Sequence, residues 1–211
     1  MLGGGTGNAP QPPTQYDPNY LDDPGLKADS RRTTSNLVGF VGSIIQHNKP
    51  VDVRRELNEH FRRRHGAFID SSITLSKIRN LKLRLIQCAQ QASNEISSVA
   101  LAYVYLEKLI LARRIHKGNR RCLAAACLLL AVKANEPHGE STAQLLAVIP
   151  KVMGVTSAAV LEQEFTVFAD LQFSLYVPIH EFMPHLNRAL RSVGISSVQE
   201  YVGGDSTFYL K

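Results

Sequence analysis

The residues that could carry out chemistry are a few histidines and cysteines, and their spacing argues against the usual reactions. His180 and His185 flank a glutamate as in a zinc motif, but on a helix they lie roughly 140° out of register. Residues 138–140 (HGE) resemble the start of a zinc-deaminase signature, but no P-C-x-x-C follows. Cys122 and Cys127 lie in an apolar segment, where burial makes a thiol inert. No glycine motif for phosphates or dinucleotides occurs, so we predict no enzyme, no cofactor and no metal.

One glutamate breaks the local apolar pattern. With 100° per residue, Val160, Phe168 and Leu171 fall within about 40° of it on a helical wheel, so Glu164 lies in the middle of an apolar stripe. A carboxylate there must be paired internally, or must lie at a surface that a partner covers. Lys133 follows directly on the most apolar stretch of the chain, where a lone lysine could simply extend to solvent from a helix end. Together these two residues predict a Lys–Glu pair on one face of the domain.

The element that has to position Lys133 is the segment from Cys122 to Val132, which has no polar side chain on any face. Alanine and leucine favour helix, and a helix that is apolar all round belongs in the centre of a core or in a membrane. The segment would rise only about 16 Å, well short of the roughly 30 Å hydrocarbon layer. We therefore predict the buried central helix of a soluble domain, with no membrane association.

Helical periodicity on both sides of this segment predicts an all-α fold. Apolar residues recur at helical spacing through residues 74–92, 95–111, 141–150 and 157–175, with short connections between these segments. The buried segment is the third of five consecutive helices, and two outer pairs around it form the natural arrangement. Pro150 is expected to kink or end its helix, and Pro184 to interrupt a last helical segment. No stretch alternates convincingly as a strand.

Composition divides the chain into four parts. Residues 1–34, rich in glycine and proline, are predicted to form a flexible leader. Residues 35–66 are predicted to form a helical N-terminal extension, with one helix over residues 35–47 and a second that begins at Pro50. The main helical domain is predicted over residues 70–192, and a short tail over residues 193–211.

The net charge of +6 leaves two classes of partner open, a nucleic acid or a protein with an acidic face. Basic residues cluster at 62–64, 77–84 and 113–121, and a nucleic-acid surface would require them to share one face. Binding would then fall steeply with salt. The cysteines form no C-x-x-C pair and the N-terminus has no apolar signal segment, so we expect the protein in the nucleus and cytoplasm.

Several motifs resemble the cyclin box. Residues 129–133 (LLAVK) look like its L-L-A-x-K motif, residues 101–109 are similar to its second helix, and residues 160–175 resemble its fifth. The resemblance implies a single cyclin box, a five-helix domain around a buried central helix, with a short helical N-terminal extension. In cyclins the matching lysine and glutamate contact a cyclin-dependent kinase. Lys133 and Glu164 are thereby implied as kinase-binding residues, together with Glu136, the one acid kept from the pair that follows the lysine in cyclins.

Other motifs are similar to the Cables proteins, the Cdk and Abl enzyme substrates. They include residues 16–24 (YDPNYLDDP), 74–79, 99–109 and 164–167. The resemblance implies a non-catalytic adaptor, a monomer when free, that binds a cyclin-dependent kinase and links it to an Abl-type tyrosine kinase in cell-cycle regulation. The alternative is a cyclin-fold nucleic-acid-binding module like a transcription factor. The substrate-docking patch of cyclins would fall on residues 77–81 and Arg84, where only Leu81 keeps its type.

Overall fold

The computed structural model describes residues 15–24, 32–37, 40–45, 50–137 and 139–203. The elements within these residues, in chain order, are β1 (Arg32–Leu37), β2 (Phe40–Ile45), α1 (Pro50–His65), α2 (Leu75–Gln91), α3 (Ile96–Leu111), α4 (Arg120–Asn135), α5 (Glu140–Met153), α6 (Ser157–Asp170), α7 (Ile179–Ser192) and α8 (Val198–Val202).

Helix α4 is the centre of the domain. Every residue from Leu123 to Val132 is buried, and α4 packs against α3, α5 and α6. The run of alanines at residues 124–126 allows these neighbours to approach closely, and each buried leucine contributes about 1.5–3 kcal/mol through burial. Helix α2 packs against α5 and α3, and α7 covers the opposite side of α3. The predicted all-α fold around a buried central helix is therefore confirmed.

Residues 32–37 and 40–45 differ from the prediction, because β1 and β2 pair as antiparallel strands. A flexible leader was expected up to residue 34, and a helix over residues 35–47. The register runs from Arg32 opposite Ile45 to Leu37 opposite Phe40. The helical periodicity of residues 35–47 was misleading, since the β-branched residues of this segment favour strand and its two glycines weaken a helix. The second predicted helix of the extension is present as α1 and begins at Pro50, as expected.

Two prolines lie inside helices without ending them. Helix α7 runs from Ile179 to Ser192 through Pro184, and α5 continues beyond Pro150 to Met153. The predicted interruption at Pro184 is therefore wrong. An internal proline removes one backbone hydrogen bond. In α7 the buried apolar positions on the side that faces the domain offset this loss, since Leu186, Ala189 and Leu190 are all at most 1% exposed.

Part of the predicted flexible leader is packed against the domain. Leu21 is only 1% exposed, and the Arg188 guanidinium donates to the backbone carbonyls of Pro18 and Asp22. The prediction of flexibility is therefore wrong for residues 15–24, while residues 1–14 and 25–31 lie outside the described part of the chain. The predicted tail contains the short helix α8, and its last residues, 204–211, are likewise not described.

Within the described residues, no single helix is long and apolar enough to cross a membrane. Helices α5 and α6 pass that test only as a pair, and they are bent by 107° relative to each other.

Candidate functional site

The two residues singled out by the sequence meet at the surface. Lys133 lies in the last turn of α4 and Glu164 in the middle of α6, and these two helices pack side by side. The Lys133 Nζ donates to Glu164 Oε1 at 2.5 Å. The two side chains keep 40% and 22% of their surface exposed, so a partner can reach both. A pair in this position contributes only about 0–1 kcal/mol to folding.

Glu136 points into the protein, away from this surface. Its carboxylate accepts hydrogen bonds from Asn94 Nδ2 at 2.9 Å, from the Glu95 backbone N–H at 3.0 Å and from Ser98 Oγ at 2.6 Å. These donors lie at the start of α3, where a negative charge is favoured by the helix dipole. Glu136 is 9% exposed and therefore ties the end of α4 to the start of α3. Its assignment as a kinase contact stays a prediction, but its carboxylate is already bound within the chain.

An exposed apolar patch lies beside the Lys133–Glu164 pair. We define it as Leu161, Phe165 and Phe173, which are 45%, 71% and 60% exposed. On α6, Leu161 lies one turn before Phe165, and the two residues flank Glu164 in the sequence. The ring centroids of Phe165 and Phe173 are 6.2 Å apart. Exposed aromatic side chains grouped around a polar pair are typical of a protein-binding surface.

The backbone after α6 holds Phe173 in this patch in a conformation that is unfavourable for non-glycine residues. Gln172 and Phe173 have φ angles of 58° and 56°, in the left-handed region that non-glycine residues rarely occupy. Each such residue costs about 1–2 kcal/mol. The Phe173 backbone N–H donates to the Phe168 carbonyl at 3.0 Å, and Tyr105 Oη donates to the Leu175 carbonyl at 2.6 Å, which fixes the segment on the domain. A strained backbone that presents an exposed phenylalanine suggests a functional constraint.

Sequence reasoning did not identify Phe165 and Phe173. The signal was available for Phe165, because it falls about 100° away from Glu164 on the wheel, off the stripe that faces the core. A large aromatic residue off the buried stripe is a candidate contact residue. Phe173 could not be found in this way, because its position depends on the two left-handed residues that follow α6.

The histidines and cysteines do not form a reactive site within the described residues. His185 is fully buried whereas His180 is exposed, so the two do not converge, and His138 lies outside the described residues. Burial raises the pKa of the Cys88 thiol to about 12 and raises the pKa of Cys122 and Cys127 as well. No group of three or more His, Cys, Asp or Glu side chains in this part of the chain is arranged to hold a metal ion.

A second Lys–Glu pair lies in the interior. Lys82 Nζ is 2.5 Å from Glu107 Oε1, and Tyr16 Oη donates to Glu107 Oε2 at 2.7 Å. The His185 Nε2 lies 2.7 Å from Tyr16 Oη, while Arg188 approaches His185 Nδ1 at 3.3 Å. Because arginine only donates, Nδ1 accepts, and the neutral ring then carries its proton on Nε2 and donates to Tyr16. Burial, Lys82 and Arg188 hold the pKa of His185 well below its usual value, which keeps the ring neutral.

The three basic clusters come together only in part, since the groove described below joins the second to the end of the third. Arg64 of the first cluster pairs with Asp23, and Arg114 of the third pairs with Asp170. Residues of the second cluster line one groove together with Arg120 and Arg121. The single basic face that the nucleic-acid alternative requires is therefore only partly assembled.

Comparisons with known proteins agree with this fold. The model of the family "Cyclin, N-terminal domain" matches residues 51–176. The proteins named "CDK5 and ABL1 enzyme substrate 2" from Mus musculus and Homo sapiens are each 34% identical over 175 residues, which is 82% of this chain and 36% of each relative. "CDK5 and ABL1 enzyme substrate 1" from Mus musculus is 34% identical over 179 residues, 84% of this chain and 31% of that protein. The chain thus spans about a third of the length of these relatives. No solved structure matches it significantly.

Proposed function

The chain belongs to the cyclin family and carries the cyclin-box region of the Cables proteins, and on this premise we propose that it is a non-catalytic adaptor for a cyclin-dependent kinase. The names of its relatives describe them as substrates of CDK5 and ABL1. We propose that this chain links a cyclin-dependent kinase to an Abl-type tyrosine kinase and thereby regulates the cell cycle. It would act as a monomer before binding, in the nucleus and cytoplasm.

The observation that carries the proposal is the position of the Lys133–Glu164 pair beside the exposed apolar patch. The aromatic side chains of Phe165 and Phe173 would supply the buried anchors of an interface, where most binding energy is concentrated. The ammonium of Lys133 would donate to a backbone carbonyl of the kinase, and the Glu164 carboxylate would accept from a backbone N–H. Both groups are within reach of a partner because the pair is partly exposed.

The low contribution of this pair to folding separates binding from stability. A half-exposed ion pair adds at most about 1 kcal/mol to the folded state. Once covered by a partner, the same charges lose contact with water, and leaving one of them unpaired costs about 2–5 kcal/mol of binding free energy. Variants at Lys133 and Glu164 should therefore fold normally and bind poorly.

A kinase pull-down tests the proposal. The wild-type chain, Lys133→Ala, Glu164→Ala and Phe165→Ala would each be used to recover a cyclin-dependent kinase from purified mixtures. Glu162→Ala is the matched control, because Glu162 is an exposed acid on the same helix without a partner lysine in the described residues. We expect Lys133→Ala, Glu164→Ala and Phe165→Ala each to recover at least about tenfold less kinase than Glu162→Ala. Equal recovery by all four would remove Lys133 and Glu164 from the contact surface.

The link to a tyrosine kinase needs a separate measurement. Co-purification of the chain with its partners, followed by mass spectrometry, should identify both a cyclin-dependent kinase and a tyrosine kinase. Recovery of the first kinase alone would reduce the proposal to cyclin-like binding without the adaptor role.

A further inference from the structure

A groove between α1, α2 and the first turn of α4 takes no part in the proposed kinase surface. Its volume is about 770 Å³, which is in the range of about 300–1,000 Å³ found for ligand sites. The cationic residues in its lining are Arg54, Lys77, Arg79, Arg84, Arg120 and Arg121, and none of the described residues that line it is an aspartate or a glutamate. We refer to it as the basic groove.

Most of these cations have no counter-charge among the residues that the structure describes. Arg84 donates to the Val152 carbonyl at 2.7 Å, which satisfies hydrogen bonding without neutralising the charge. Arg79 is paired with Asp22. The structure shows no ion pair for the remaining four within the described residues, and Arg54, Lys77 and Arg121 are exposed. Like charges collected in a concave site repel one another, so a ligand that brings negative charge relieves this repulsion.

The groove also has apolar walls. Leu57, Leu81 and Leu83 contribute to its lining, and Leu83 is 51% exposed, which makes it an available apolar contact. Among the described residues, no aromatic side chain lines the groove to offer a platform on which single-stranded nucleic-acid bases could stack. Cations with aliphatic but no aromatic surface favour an acidic peptide over a nucleic acid.

The protein already binds a segment of this chemistry at the edge of the groove. Residues 21–23 are Leu-Asp-Asp, and Leu21 is buried whereas Asp22 is bound by Arg79 through two of its nitrogens, at 2.7 and 3.1 Å from Oδ1. Arg79 and Leu83 line both the basic groove and the neighbouring cavity that contains Asp22. One cation of the groove, Arg79, is thus already bound to a carboxylate.

We propose that the basic groove binds an acidic segment of a partner protein, with aspartates or glutamates on its cations and an aliphatic residue against Leu81 and Leu83. Peptides with a basic motif are repelled by the same side chains. This site is separate from the proposed kinase surface and adds a second class of partner, one selected by carboxylates.

The first test compares peptides on the chain of residues 1–211 by fluorescence anisotropy. The probe is a fluorescein-labelled peptide, Glu-Glu-Leu-Glu-Glu-Leu-Glu-Glu. One comparison peptide carries glutamine for every glutamate, and another carries serine for every leucine. We expect the glutamine peptide to bind at least about tenfold more weakly, and the serine peptide to bind severalfold more weakly. Equal binding of the glutamine peptide would overturn the proposal.

The second test uses charge-reversal variants with a matched control. Lys77→Glu combined with Arg121→Glu changes two exposed groove residues, whereas Arg62→Glu combined with Arg63→Glu makes the same change in net charge on α1, outside the groove. The groove variant should bind the acidic peptide on the order of tenfold more weakly, because each reversed cation loses an ion pair and gains a repulsion. The control should stay within about twofold. Unchanged melting curves would show that both variants fold, and an equal loss in the two variants would overturn the proposal.

The competing ligands are separate arms of the same assay. A single-stranded oligonucleotide, or the peptide with phosphoserine in place of its central glutamates, would overturn the choice of a carboxylate peptide if it bound more tightly than the acidic peptide. Lys133→Ala should leave peptide binding unchanged, so failure of the groove proposal and failure of the kinase proposal give different results.

Discussion

The molecule contains two Lys–Glu pairs of the same length in opposite surroundings. Lys82 Nζ to Glu107 Oε1 and Lys133 Nζ to Glu164 Oε1 are both 2.5 Å. The side chains of the first pair are 10% and 0% exposed, whereas those of the second are 40% and 22% exposed. Distance alone therefore does not separate an internal ion pair from a binding surface. The solvent exposure of the pair and the groups beside it distinguish the two cases.

The groups around each pair explain the difference. In the interior, Glu107 has its second oxygen occupied by Tyr16, and His185 and Arg188 continue the network, so each charge has its partners within the chain. At the surface, Glu164 has exposed apolar neighbours, Leu161 and Phe165, which an additional molecule could cover. The first pair is part of the folded structure, and the second is available to a partner.

The largest effect is expected at the interior pair. Glu107→Ala should lower the free energy of unfolding by about 3–5 kcal/mol, because it leaves Lys82 buried without a counter-charge. Glu164→Ala should lower it by less than about 1 kcal/mol. Urea denaturation of both variants measures the two values. The double variant Lys82→Met with Glu107→Leu should recover much of the lost stability, since it leaves neither charge of the pair buried without its partner. Similar losses for the two single variants would contradict the contrast between the pairs.

An intermediate effect is expected from pH. The pKa of His185 is held well below its usual value near 6.5, so the unfolded chain takes up a proton that the folded chain does not. His185 therefore imposes no penalty above about pH 6.5, and stability falls as the pH drops below that value. We expect this residue to lower the free energy of unfolding by about 0.8 kcal/mol between pH 7.5 and pH 6.

The comparison variant for the pH measurement is His185→Gln, which cannot take up the proton. Its unfolding free energy should depend less on pH over this range than that of the wild type. Burial lowers the pKa of His65 to about 4, so His65 makes the unfolding free energy depend on pH to a similar extent in both proteins. The difference between the pH profiles of the wild type and His185→Gln therefore reports on His185 alone. Parallel pH profiles would show that His185 is not the responsible group.

The smallest effect is expected at the surface pair in the absence of a partner. A double-mutant cycle over Lys133→Ala and Glu164→Ala should give a coupling of about 0.5 kcal/mol, and this coupling should decrease with added salt. A coupling above about 2 kcal/mol would indicate that this pair, too, is part of the core network. The contrast between the two pairs would then be lost.

The two pairs also differ in how far the sequence could predict them. The Lys133–Glu164 pair was predictable because both residues interrupt strong helical patterns, one at the end of an apolar helix and the other within an apolar stripe. The interior network was not, because Tyr16 lies 91 residues from Glu107 and 169 residues from His185. Contacts between such distant residues leave no periodicity. The composition of residues 15–24 pointed instead to a flexible chain.

The same limits apply to the fold. The buried helix α4 and its four helical neighbours followed from apolar periodicity, which reports burial directly. The hairpin of β1 and β2 and the continuity of α7 did not, since each depends on a balance between local propensity and tertiary packing. Exposed Phe165 and Phe173 were missed because periodicity shows which face of a helix is buried but not what the other face presents.

Because residues 15–24 pack against the domain, the folded domain is larger than the part that matches the cyclin family. The match to the cyclin family covers residues 51–176, which leaves out both this segment and α7. Yet Tyr16, from the first excluded part, donates to Glu107, and His185, from the second, hydrogen-bonds the Tyr16 hydroxyl. A fragment trimmed to the family match would open its ionic interior to water and expose apolar surface of α3, which promotes aggregation. Homology marks the shared cyclin box, whereas the unit that should be expressed has to include at least residues 15–24 and α7.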